Sequence, residues 1–238
     1  MSAGDLVAAT VIVAVGAMVQ SSIGFGLNVV GAPLLVLVDP RFVPGPTLIA
    51  ALVLTILVGI RERGSVDRRG FWWIFAGRIP GSVVAALVVS ALPPRGIAFA
   101  LSGIVLLAVA ASVAGWTVRR TPRNLVVAGT ISGAFSTLSS VGGPPIAMLY
   151  QDAKGSELRG TLAAVFTVGA AISIGLLAAV GRFGVREVDL AFALMPGVFA
   201  GFALSRYANR LLDRHPMRGP VLALCAIAAV AAVIRYAI

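Results

Sequence analysis

The sequence predicts an all-α membrane protein of about eight transmembrane helices plus two broken, re-entrant segments, arranged as two inverted repeats. Three observations predict it. The 238-residue chain is 59% hydrophobic and only 12% charged, with a mean hydropathy of +1.00, whereas soluble domains are about 25% charged. Two apolar stretches at comparable places in the two halves are interrupted by Gly, Ser and Pro. The basic residues sit in short loops between apolar runs, the usual place for orientation signals.

At 24.3 kDa the chain has room for several spans of roughly 20 residues each, joined by short loops, and no room for a separate soluble domain. A net charge of +10 would suggest nucleic acid in a soluble protein; with the basic residues confined to inter-span loops it does not, and no nucleic-acid partner is expected.

The first apolar run, 6–23, follows a start with no Lys or Arg before it. It lacks the positive region of a secretory signal peptide and reads as a membrane segment that is retained. Its end is broken by Gln20-Ser21-Ser22-Ile23-Gly24-Phe25-Gly26-Leu27-Asn28, and a run at 27–38 containing Gly31-Ala32-Pro33 follows. Runs at 44–60, 71–91 and 96–117 are long enough to span. The second interrupted stretch, 124–141, ends in Ser136-Thr137-Leu138-Ser139-Ser140-Val141-Gly142-Gly143-Pro144-Pro145 and continues as a short run at 143–150. Spans at 161–180, 189–208 and 219–238 complete the chain. Glu187 and Asp189 suit a helix N-terminus; Trp72, Trp73 and Tyr236 suit interfacial belts. The lone Cys225 excludes an intrachain disulfide and reads as a core thiol, and His215, in a polar turn, is assigned no role.

Loop charge separates two topologies. If each broken segment crossed once, Lys and Arg would divide ten to eight between the faces, which is no signal. If each turns back, Arg61, Arg63, Arg68, Arg69, Arg119, Arg120, Arg123, Lys154, Arg159, Arg206, Arg210, Arg214 and Arg218 share one face, and Arg41, Arg95, Arg182, Arg186 and Arg235 the other. Thirteen against five is a positive-inside signal that places both termini outside, in an inner membrane. Each half then has an odd number of net crossings, so residues 1–118 and 124–238 form repeats of opposite orientation. Gly64, Gly77, Gly81 and Leu92 match Gly184, Gly197, Gly201 and Leu212 at a constant offset, and Gly16-Ala17 resembles Gly133-Ala134.

Non-helical backbone survives at membrane depth only against protein or a water-filled cavity, and paired interruptions point to a transporter's binding site. A half-helix that starts there presents unpaired N–H groups and a positive dipole end, which suit an anion. Gly24, Gly26, Gly142 and Gly143 let backbone approach a ligand, and Pro33, Pro144 and Pro145 suit half-helix turns. Ser21, Ser22, Asn28, Ser136, Thr137, Ser139 and Ser140 offer neutral hydrogen bonds. Gln20 either binds substrate or satisfies freed backbone. Arg78 is the one basic residue well inside an apolar run, and either meets a substrate anion or snorkels past Trp72 and Trp73. All nine acidic residues lie in or beside loops, which weighs against a cation substrate, although carbonyls at a broken helix can hold Na⁺; H⁺ and Na⁺ both stay open as coupling ions. No Ser–His, Cys–His or metal-ligand grouping appears within the spans, so neither enzyme nor cofactor is expected. An anion channel and a non-catalytic structural subunit remain as alternatives to a carrier.

The pattern Gln20…Gly24-Phe25-Gly26…Pro33-Leu34-Leu35, with Gly142-Gly143-Pro144-Pro145 and Arg159-Gly160-Thr161 in the second half, resembles the motifs of the sulfite exporter (TauE/SafE) family. The resemblance implies a multi-pass bacterial transporter of sulfite, sulfonates or related small organic anions, and it adds Arg159, otherwise an orientation charge, to the candidate site. Where the family often carries a run of glycines, this chain has Phe25, Leu27 and Asn28.

Overall fold

A computed structural model of the chain describes residues 3–93, 118–150 and 152–212, with isolated helical positions at 96, 103, 104, 106, 107 and 110. The rest of the 96–117 run and the whole 219–238 run, with Cys225, His215 and Tyr236, lie outside the described residues. Those described hold eight helices and no strand: α1 Ala3–Ile23, α2 Leu27–Val38, α3 Gly45–Arg61, α4 Arg68–Ala91, α5 Pro122–Ser139, α6 Gly143–Ala147, α7 Gly155–Ala179 and α8 Val185–Leu212, with a 3₁₀ turn at Pro40–Phe42. Four segments are long and apolar enough to cross a bilayer: Gly4–Ile23, Arg68–Ala91, Gly155–Ala179 and Val185–Tyr207. Helices α2 and α3 are apolar but shorter.

Local chemistry sets the helix limits. Asp67 caps α4 by accepting from the Gly70 N–H at 2.9 Å, and Thr121 caps α5 from Asn124 at 3.2 Å with Pro122 behind it. Glu187 accepts from the Gly184 N–H at 2.8 Å at the start of α8. Helices α7 and α8 begin earlier than the apolar runs, because hydropathy marks the lipid-facing length whereas the polar turns Ser156–Arg159 and Arg186–Glu187 are helical as well.

Glycines set the packing. A Cβ on Gly77 or Gly81 of α4 would run into the carbonyl oxygens of Val126 or Thr130 on α5. On Gly197 or Gly201 of α8 it would run into those of Thr10 or Ala14 on α1. The pairs advance together along both chains, so α4 runs parallel to α5, and α8 parallel to α1. Two cores result. Ala9, Val13 and Ala17 of α1 pack with Leu27, Leu35, Leu54, Val58, Leu194 and Val198; Ile74 of α4 packs with Leu125, Ile146, Leu162 and Val165. Each core thus takes its α4 or α8 helix from the opposite half of the chain. Val7, Val11, Trp72, Val84, Leu87, Phe192 and Phe199 face outward, as a lipid-facing surface requires.

Helix α2 folds back along α1. A Cβ on Gly16 would sit 2.7 Å from the Leu27 carbonyl, and one on Gly31 3.9 Å from Ile12, a descending register. Ion pairs Arg159–Glu62 and Arg120–Glu157, with the Tyr150–Asp67 hydrogen bond, gather residues 61–67, 118–121 and 150–159 at one, arginine-rich end. Arg182 donates to the carbonyls of Ser90 and Leu92, and Gly45 lies against Phe183 and Glu187. Residues 40–45, 90–92 and 182–187 therefore share the other end, and α2 leads back to it.

Candidate functional site between the two breaks

Both breaks are non-helical where expected. Gly24 and Gly26 take φ of +96° and +139°, and Ser140 closes α5 in the left-handed region at +59°. The positive φ reserves the first two positions for glycine. The tips of the two hairpins touch: a Cβ on Gly143 would be 2.7 Å from the Phe25 Cβ, and the Asn28 Nδ2 donates to the Ser140 carbonyl at 3.0 Å.

Between them lies a cavity of about 30 Å³, lined by Gln20, Phe25, Gly26, Asn28, Val29, Leu48, Ala51, Ser136, Ser140, Val141, Gly142, Gly143, Phe166 and Ala170. That volume holds one or two waters. Seven expected residues meet here: Gln20, Gly26, Asn28, Ser136, Ser140, Gly142 and Gly143. Phe25 falls within the quoted motif, but the apolar wall residues carried no sequence signal, because apolar positions are commonplace in this chain.

The remaining expected residues do not line this cavity. The Ser22 Oγ donates to the Met18 carbonyl and the Ser139 Oγ to Phe135, each 2.8 Å away, so both hydroxyls are spent within their own helices. Gly24 backs onto Leu162 and Arg159. Pro33 is buried inside α2, and Pro144 and Pro145 open α6. Arg159 sits at the arginine-rich end: its Nε donates to Glu62 at 2.9 Å and its Nη1 to the Ser22 carbonyl at 3.4 Å, while Arg61 donates to the Ser21 carbonyl. These carbonyls end α1, where cationic side chains are favourable.

Gln20 satisfies freed backbone: its Oε1 accepts from the Leu27 N–H at 3.0 Å. That consumes the leading donor of α2, and α6 is only five residues long, so helix ends alone supply less positive potential than the sequence suggests. Side chains supply more. Arg78 is fully buried and does not snorkel. Its Nη1 donates to the Ser132 Oγ at 2.8 Å, and that hydroxyl donates to the Gly142 carbonyl at 2.6 Å. Its Cζ lies 5.6 Å from the centroid of Phe166, a cavity residue. Its Nε and Nη2, with the hydroxyls of Ser21 and Ser82 and the Asn28 Oδ1, are buried without a hydrogen-bond partner. No group of His, Cys, Asp and Glu among the described residues is arranged to hold a metal.

The family model described as sulfite exporter TauE/SafE matches residues 8–232 of the chain. No curated protein and no solved structure matches it.

Proposed function

The chain belongs to the sulfite exporter TauE/SafE family, a membrane-embedded assignment that its long apolar helices share, and from this premise we propose a multi-pass carrier that moves one small anion, sulfite, a sulfonate or a related organic anion, by alternating access. One observation carries the reading: the two hairpin tips meet around one cavity, lined by polar and apolar residues of both breaks. Residues 1–118 and 124–238 act as inverted halves, a reading supported by the parallel pairing of α1 with α8 and of α4 with α5. In an inverted pair each hairpin opens toward its own face, so withdrawing one tip at a time exposes the cavity alternately. The arginine-rich end is cytoplasmic, and both termini lie outside the inner membrane, by the positive-inside rule.

The substrate site comprises Gln20, Gly26, Asn28, Ser136, Ser140, Gly142 and Gly143, with Arg78 behind the Phe166 wall. In this conformation the cavity is too small for a hydrated anion, which matches an occluded state between the two openings. Purified protein in liposomes tests the proposal, with labelled sulfite and imposed H⁺ or Na⁺ gradients. Saturable uptake with counterflow supports a carrier. A large unitary current would make the protein a channel, and no flux with correctly inserted protein would make it a structural subunit.

A further inference from the structure

We propose that Arg78 is a two-pronged receptor for oxygens of the transported anion, so that the substrate group is an oxyanion (sulfite, sulfonate or carboxylate) and not a halide. The inference deepens the carrier reading and rests on it. The Nε and Nη2 hydrogens project from the same edge of a guanidinium, with the spacing of two oxygens on one sulfur or carbon. Those are the two nitrogens of Arg78 left without an acceptor, while Nη1 is held by Ser132. The fork is therefore oriented by the protein and unpaired, with Gly169 packed against it.

Among the described residues, none pairs with Arg78 as a counter-ion. The described acidic residues stand at helix ends or in loops, and the contacts of the guanidinium are Ser132, the Phe166 ring and the backbone of Gly169. A charge buried this way is costly unless paired and hydrogen-bonded, and the Phe166 ring compensates only part of it. Gly169 makes the position possible, because a Cβ there would overlap the guanidinium. The link from Nη1 through Ser132 to the Gly142 carbonyl ties the fork to the second break. Phe166 is at once neighbour of the fork and wall of the cavity, so a shift of that ring joins the two.

The test uses the full chain, in detergent and in liposomes. Sodium sulfite should raise the melting temperature of the wild type above that in sodium chloride of equal ionic strength. Arg78→Lys keeps the charge but loses the fork; it should abolish that shift and raise the sulfite KM by about tenfold or more. Gly169→Ala, which displaces an intact Arg78, should do the same. Arg78→Met removes an unpaired buried charge, so its melting temperature without ligand should equal or exceed that of the wild type, whereas an arginine kept for structure would lower it. Wild-type KM in Arg78→Lys, chloride competing as well as methanesulfonate, or a lower melting temperature in Arg78→Met would overturn the inference. A wild type that moves no anion would instead remove the carrier reading itself.

Discussion

The Asn28 side-chain amide, just past the first break, donates to the Ser140 carbonyl at the second, 112 residues away in sequence and 3.0 Å away in space. This bond joins the hairpin tips across the cavity wall, while the amide oxygen of the same side chain has no partner. Asn28→Ala should leave the Ser140 carbonyl unpaired and cost about 1–3 kcal/mol, a buried acceptor's usual penalty. Asn28→Asp adds a negative charge where an anion is to bind. Sulfite uptake should therefore fall in the order Asn, Ala, Asp; uptake by the Asp variant equal to or above that of Ala would refute the placement of the anion beside this residue.

The second prediction concerns the contact of Gly143 with Phe25. With only 2.7 Å between an added Cβ and the Phe25 Cβ, Gly143→Ala must push the tips apart. Transport should drop while membrane insertion persists, and Phe25→Gly in the same chain, which removes the Cβ in the way, should recover part of it, a coupling that a double-mutant cycle measures. Bulky residues at Gly26 or Gly142 should also abolish transport, the former through its φ of +139°. Normal transport by all three glycine variants contradicts the site.

How much of this was legible in the sequence follows from which interactions are local. The breaks, their glycines and the shared end of residues 61–67, 118–121 and 150–159 are written in short-range composition, and the structure has them where the residues indicate. Residues 213–218 of the 206–218 loop lie outside the described residues. Gln20 could be read two ways because its partner, Leu27, is a backbone N–H whose availability depends on how the chain turns. Arg159 is drawn into the motif by resemblance, yet its contacts are Glu62 and Ser22, at the rim. The grouping of Arg78, Ser132 and Gly142 depends on the parallel pairing of α4 with α5, which no local pattern states. The same pairing explains a signal that was legible: the offset glycines Gly77, Gly81, Gly197 and Gly201 recur because each pair lets a neighbouring helix approach.

Glu62 bridges Arg61 and Arg159, whose guanidiniums hold the Ser21 and Ser22 carbonyls at the end of α1. Removing the bridge in Glu62→Ala should loosen the first tip at the arginine-rich end. In a Cys225→Ser background, a cysteine at Ser22 should react faster with a membrane-impermeant maleimide when Glu62 is absent, and only from the arginine-rich side. An unchanged rate would show that this ion-pair group does not close the tip.

At the opposite end the Arg41 side chain, hydrogen-bonded to Asp39, holds that carboxyl below its ordinary 3.8. Because the folded state depresses the value, the pair contributes stability that is complete above the unfolded value and lost as pH falls through the lower folded one. Acidification from pH 5 to below 3.8 should therefore lower the melting temperature less steeply in Asp39→Asn than in the wild type. Because both side chains are partly exposed, the difference should also shrink in high salt. Parallel acid profiles in low salt would show that the pair adds nothing.

The two parallel helix crossings lead to the last prediction. A Cβ at Gly77 or Gly81 collides with α5 carbonyls, and one at Gly197 or Gly201 collides with α1 carbonyls. Backbone lies on the far side of each contact, so no side-chain rotation relieves the clash and the helices must separate. If the two crossings are equivalent parts of inverted halves, Gly81→Leu and Gly201→Leu should lower the detergent melting temperature by similar amounts, each by the equivalent of about 1–3 kcal/mol or more. Combining them should be nearly additive, because each change lies in a different core. An effect confined to one crossing, measured at equal expression and insertion, would show that the glycine pairs do different jobs and would remove the packing support for an inverted repeat.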